Sequence, residues 1–185
     1  MGSEMNQSGV GKMNTSIYNN IVPLISYPSA DIRNDVKKVQ QNLDERSDNN
    51  FQTFSNHVNK TGMTKLQEEF TQLFDFTPNT CLDLGWHLHG ENYERGVFMV
   101  RVREMLREFN IVETSELPDH LSHILSVLPL MESNDRNEFI KTHVIPAIEK
   151  IIEGFGETKT PYKNLIQFIH DVLQYQSTAQ EVQAQ

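Results

Sequence analysis

The sequence predicts an all-α fold, a single-domain helical bundle, and three observations carry that expectation. Apolar residues recur at steps of three and four along almost the whole chain. No stretch alternates apolar and polar residues between Asn-Gly or Asp-Gly turns, the signature of hairpin strands. The polar breaks between periodic stretches are short, which favours antiparallel neighbours in a bundle. At 185 residues, 37% of them hydrophobic, the chain suits one domain with one core.

The helical stripes follow in order. Ile17, Ile21, Val22 and Ile25 open the pattern, and Ile32, Val36, Val39 and Leu43 continue it. After the break "DERSDNN", Leu66, Phe70, Leu73 and Phe74 form a stripe, with Thr64 and Gln67 spaced as a capping box. Cys81, Leu84 and Leu88 form a shorter one that Gly90 should terminate. Met99, Val102, Leu106 and Phe109 come next, then Leu121, Ile124, Leu125 and Leu128. Ile145, Ile148 and Ile152 surround Pro146, which should kink or split that helix. The last helix has the clearest start, Thr160 as N-cap and Pro161 at the first helical position, followed by Leu165, Ile166, Ile169 and Val172 or Leu173. The expected organisation is a flexible tail over residues 1–14, a helical domain over 15–176 and a flexible tail over 177–185.

Composition excludes several function classes. A formal charge of −9 opposes general nucleic-acid binding, which needs clustered Lys and Arg. No apolar run approaches the ~18 residues of a membrane span. The polar start "MGSEMNQSGVGKMNTS" has no secretory h-region. One cysteine, Cys81, cannot form an internal disulfide and suits a reducing, cytoplasmic setting.

The candidate chemistry is weak. In "WHLHG", His87 and His89 stand two apart and diverge by about 200° on a helix, so they cannot share a metal. They read as a helix end, with His89 near the negative end of the helix dipole. In "LPDHLSHIL", Asp119 or His120 can share a face with His123, but Pro118, Glu116 and Asp119 read first as a helix start. Cys81 lies on an apolar stripe and reads as an inert buried thiol. In "RVREMLRE", Arg103 and Arg107 alternate with Glu104 and Glu108, a solvated and compensated face. The sequence has no phosphate-cradling glycine loop and no G-x-S-x-G motif. The expectation is no catalytic residue, no metal and no cofactor. Phe74, Phe76 and Trp86 gather around the Pro78 turn, each read singly as core. With Pro118 and its acids they could line a groove for an amphipathic peptide.

The runs "LQEEFTQLFDFTP", "LHGENYERG" and "ELPDHLSHILSVL", in that order and spacing, resemble the NarJ/TorD/DmsD family of molybdoenzyme chaperones, most closely its NarJ branch. The opening "LISYPSADIRNDV" is similar to the family's first helices, which a Tyr-Pro turn separates. His120 departs from the tyrosine common in that branch. The resemblance implies a TorD-like helical fold and a cytoplasmic, non-enzymatic protein. Its partner would be the apo catalytic subunit of a molybdenum oxidoreductase of the dimethyl sulfoxide reductase superfamily. The chaperone would bind that subunit's N-terminal, twin-arginine-like segment and assist insertion of the molybdenum cofactor before export or membrane docking. Carried over by motif, Glu116, Pro118, Asp119 and His120 would bind the peptide, with Leu73, Phe74 and Trp86 as apolar lining. Gly90, Arg95 and Gly96 would shape the interhelical turn, with Arg95 pairing an acid. Two rival readings are a helical adaptor for an unrelated helix and a metal-dependent enzyme using Asp119, His120 and His123.

Overall fold

A computed structural model describes residues 17–43 and 48–183, with side chains as far as Ser177. The tail expected over residues 1–14 lies outside the described residues. Residues 17–21 make a helical turn that runs into a 3-10 turn at Val22–Ile25. The following helices are α1 (Ile32–Asn42), α2 (Asn49–Lys60), α3 (Met63–Phe70), α4 (Leu84–His89) and α5 (Tyr93–Glu108). Then come α6 (Leu121–Val127), α7 (Ser133–Phe139), α8 (Ile145–Gly154) and α9 (Pro161–Gln183). The boundary expected at residue 176 falls inside α9, whose backbone stays helical to Gln183. Among the described residues the chain is all-α, and its extended pairing is an isolated antiparallel bridge between Asp83 and His120.

Local chemistry explains several of the ends. Asp48 caps α2 by accepting from the N–H groups of Asn50 and Phe51 at 2.8 and 3.1 Å. Thr160 precedes Pro161 as the sequence predicts, and its carbonyl accepts from the Lys163 N–H at 3.0 Å. Gly90 closes α4 at φ 62°, a conformation that L side chains rarely adopt. Pro146 cannot donate to the carbonyl of Thr142, and a π turn over Ile140–Val144 absorbs the defect. α7 therefore passes into α8 through a widened turn instead of breaking.

Four sequence expectations need correction. The capping box of Thr64 and Gln67 does not form, because α3 starts at Met63, two residues before a Thr64 cap would allow, and Gln67 donates to the Pro28 carbonyl at 2.9 Å. Cys81 precedes α4 in extended chain, so it does not share a helical stripe with Leu84. The helix after "LPDH" starts at Leu121, with His120 as its N-cap, so Pro118 and Asp119 lie in the preceding turn. Arg103 pairs with Glu113 at 2.7 Å, across the loop after α5, instead of with a neighbouring glutamate of its own helix.

The core forms where α9 lies against α2 and α8. Phe51 and Phe168 approach at 4.9 Å between ring centroids, and Phe54 meets Tyr162 at 5.4 Å. The Tyr162 hydroxyl donates to the Leu66 carbonyl at 3.2 Å, tying α9 to α3. α4 packs against both α5 and α8, and α6 packs against α5 and the Val22–Ile25 turn. The two sequence motifs "LHGENYERG" and "ELPDH" are thereby brought to one junction of α4, α5 and α6.

Candidate functional site

The junction is built from backbone first. The Leu84 N–H donates to the Asp119 carbonyl at 2.9 Å, and the Leu121 N–H donates to the Leu82 carbonyl at 2.8 Å. These two bonds lay the segment before α4 beside the segment before α6. Asp83 and Asp119 then converge on one side chain of α5. Arg95 Nη2 donates to Asp83 Oδ2 at 3.1 Å, and Arg95 Nε donates to Asp119 Oδ2 at 3.2 Å. The guanidinium also sits over the Trp86 ring, 5.6 Å from its centroid.

This is a closed arrangement. Asp119 is fully buried, and its Oδ1 has no hydrogen-bond partner. Burial, reinforced by the Asp119 carboxylate and opposed by Arg95, raises Asp83 to about 6. One guanidinium thus serves two carboxylates, and the more accessible acid carries the strain. Gly85 is required by the same closeness, since a Cβ there would stand 2.6 Å from Asp119 Oδ2 and 3.1 Å from the Phe98 ring.

The loop before α6 is fixed by two histidines. His120 Nδ1 accepts from the Ser122 N–H at 3.2 Å, and burial with His123 nearby lowers His120 to about 4. His123 accepts from the Thr114 N–H at 3.1 Å and donates from Nδ1 to the Leu117 carbonyl at 2.9 Å. Those bonds commit both imidazoles to the loop. On the other side of α4, His87 Nε2 donates to the Cys81 carbonyl at 2.8 Å, and Lys150 reaches the His87 carbonyl at 2.7 Å. With its Nε2 proton so engaged, His87 offers no base to the Cys81 thiol 3.6 Å away, and burial raises that thiol.

The structure distributes the sequence candidates unevenly. Trp86, Arg95, Pro118, Asp119 and His120 meet at the junction, with Glu116 exposed beside it and close enough to act on Asp83. Leu73 and Phe74 belong to a different region, the π turn Thr71–Asp75 that extends α3. Phe74 is buried against Phe70, Phe155 and Tyr162, while Leu73 is half-buried and its carbonyl accepts from the Thr80 hydroxyl. Phe76 is 73% exposed and takes no part in either group. Gly90 ends α4, and Gly96 lies within α5 with open space where a Cβ would be. Asp83 and Gly85 are the members that sequence reasoning missed. Their signal was the "DLG" before Trp86, but its meaning depends on a partner thirty-odd residues away.

Fold and junction together define a class. The chain is similar to a solved structure from Archaeoglobus fulgidus, described as that of a candidate redox enzyme maturation protein, with a TM-score of 0.61 and 17% sequence identity. The likeness covers 94% of this chain and 99% of that one, and establishes the helical fold. The family described as nitrate reductase delta subunit matches residues 32–174, and this chain belongs to it, the NarJ/TorD family of maturation chaperones. No curated protein matches the chain. No helix of the described residues is long and apolar enough to cross a membrane.

Proposed function

We propose that this protein is a cytoplasmic maturation chaperone that holds the N-terminal, twin-arginine-like segment of an apo molybdoenzyme catalytic subunit. It keeps that subunit competent for molybdenum cofactor insertion before export or membrane docking, and performs no reaction itself. One observation carries the reading: the two motifs characteristic of the family, far apart in sequence, meet at the Arg95–Asp119 pair. Around that pair Trp86 is half-buried beneath the Arg95 guanidinium, and Glu116 is exposed and close enough to act on Asp83. A leader arginine would meet Glu116, with Asp119 and His120 holding the loop behind it and Pro118 setting the turn.

The energetics set what such a site needs. Hydrogen bonds to charged groups contribute roughly 1.5–3 kcal/mol each. Ordering a flexible peptide costs about 2–5 kcal/mol. One acid therefore cannot hold a leader alone, and an apolar contact surface is required. The direct test is native co-purification with mass spectrometry. A molybdenum oxidoreductase catalytic subunit should dominate the catch. Recovery of an unrelated helical partner in its place would support an adaptor, and a stoichiometric transition metal in protein purified without chelators would support the enzymatic rival. Titration calorimetry sharpens the residue roles. Glu116→Gln should weaken leader binding and flatten its salt dependence without changing stability.

A further inference from the structure

A cleft of the described residues lies away from the Arg95 junction, between α5 and the segment from Leu130 to His143, with a volume of about 430 Å³. Its floor is apolar and adaptable, formed by Met105, Phe109, Leu130, Met131 and Phe139. Its rim carries four exposed carboxylates, Glu108, Glu132, Asp135 and Glu138. None of the four forms an ion pair among the described residues, in contrast to Glu113, which Arg103 holds. The cation that lines the cleft, Arg101, sits over the Phe139 ring at 5.6 Å from the centroid.

The apolar surface does not stop at the cleft. Tyr93, Val97 and Val100 are exposed at 84, 51 and 55%, at positions i, i+4 and i+7 of α5. At 100° per residue this stripe borders the face that carries Arg101, Met105 and Glu108, while Phe98, Val102 and Leu106 point into the core. α5 therefore presents an apolar stripe of about 10 Å from Tyr93 to Val100, at about 1.5 Å per residue, which Met105 continues into the acidic cleft. A compact small molecule would leave most of that stripe uncovered. An amphipathic helix would cover it, its large aliphatic side chains entering the cleft and its basic ones meeting the rim.

We propose that the α5–α7 cleft and the Tyr93–Val100 stripe form the docking surface for an amphipathic helical segment bearing Lys or Arg on its polar face. This deepens the chaperone reading, on which the identity of the segment as part of an apo-enzyme rests, by adding apolar surface to what Trp86 alone offers near the junction. The charge of the rim selects the sign of the partner, and the methionines let the floor fit varied aliphatic side chains.

The test uses the full chain and a fluorescent synthetic helix with leucine on one face and arginine on the other, beside a scrambled peptide of equal composition. Two variants probe the two halves of the surface: Glu132→Lys with Glu138→Lys for the rim, and Val97→Glu for the stripe. All three positions are exposed, and unchanged thermal unfolding would confirm intact folding. Each variant should weaken binding of the amphipathic peptide by roughly tenfold or more. The scrambled peptide should bind wild type more weakly. Equal affinity for wild type and both variants overturns the proposal, as does equal affinity for the two peptides. Native capture run in parallel separates the two readings. If wild type and variants retain a molybdoenzyme subunit equally, the cleft is refuted and the chaperone stands. If wild type retains none while the variants lose the synthetic helix, the chaperone reading fails and the cleft stands.

Discussion

The α4–α6 junction and the α5–α7 cleft use the same helix in opposite ways. At its N-terminal end α5 delivers Arg95 to two carboxylates, one fully buried at Asp119 and one half-buried at Asp83. Further along, α5 delivers Met105 and Glu108 to a surface whose exposed acids form no ion pair among the described residues. The first region is satisfied internally and defines geometry. The second keeps its acids in water, where they are available to meet a partner. Charges buried and paired cost more to disturb than they contribute when made, whereas exposed charges barely affect folding and mainly set association.

Substitutions test that division most severely at Arg95. Arg95→Ala strands Asp83 and the buried Asp119, and should lower stability by about 3–5 kcal/mol in urea unfolding. A loss under 1 kcal/mol, roughly the value of an exposed pair, would mean the junction is not a structural centre. Gly85→Ala should cost about 1–3 kcal/mol, because the added methyl group has no room beside Asp119 and Phe98. Neutral behaviour there would show that the two segments separate easily.

Protonation offers a finer probe. Asp83 is raised to about 6 in the folded protein, so its contribution to stability is fully present below its ordinary value of 3.8 and is lost as pH rises through about 6. His120 acts in the opposite sense, contributing fully above its ordinary 6.5 and losing that contribution as pH falls through about 4. Asp83→Asn removes the first titration and leaves the second. Relative to wild type, the variant should therefore gain about 1–2 kcal/mol between pH 4 and pH 7, read from urea midpoints at both values. A constant difference would place the titration elsewhere. The smallest stability effect belongs to the cleft. Glu138→Lys should change unfolding by no more than about 0.5 kcal/mol while measurably weakening the synthetic basic helix. A large loss of stability would instead make that rim part of the folded framework.

How much of this was legible beforehand follows the range of the forces involved. The helical class, the closing glycine at Gly90 and the start at Thr160–Pro161 are set by neighbours within a few residues, and the sequence states them directly. "WHLHG" forms a helix end for the same reason. The capping box of Thr64 and Gln67 misled because the helix begins at Met63, ahead of Thr64, and Gln67 turns to donate to the Pro28 carbonyl thirty-nine residues away in the chain. Grouping Leu73 and Phe74 with Trp86 rested on proximity in sequence, and the fold sends Phe74 toward α9 instead.

The sequence by itself determined that the chain is helical, that Gly90 ends one helix and that Thr160–Pro161 starts another, because capping, proline and periodicity act locally. Tertiary structure alone decided which of the two apolar stripes of α5 faces inward, since Phe98, Val102 and Leu106 and their exposed counterparts Tyr93, Val97 and Val100 share one helical periodicity. It also decided that Asp83 and Asp119 share one arginine while the acids around Met105 remain unpaired. Burial and charge pairing depend on which distant segments are brought together, and no local pattern records that.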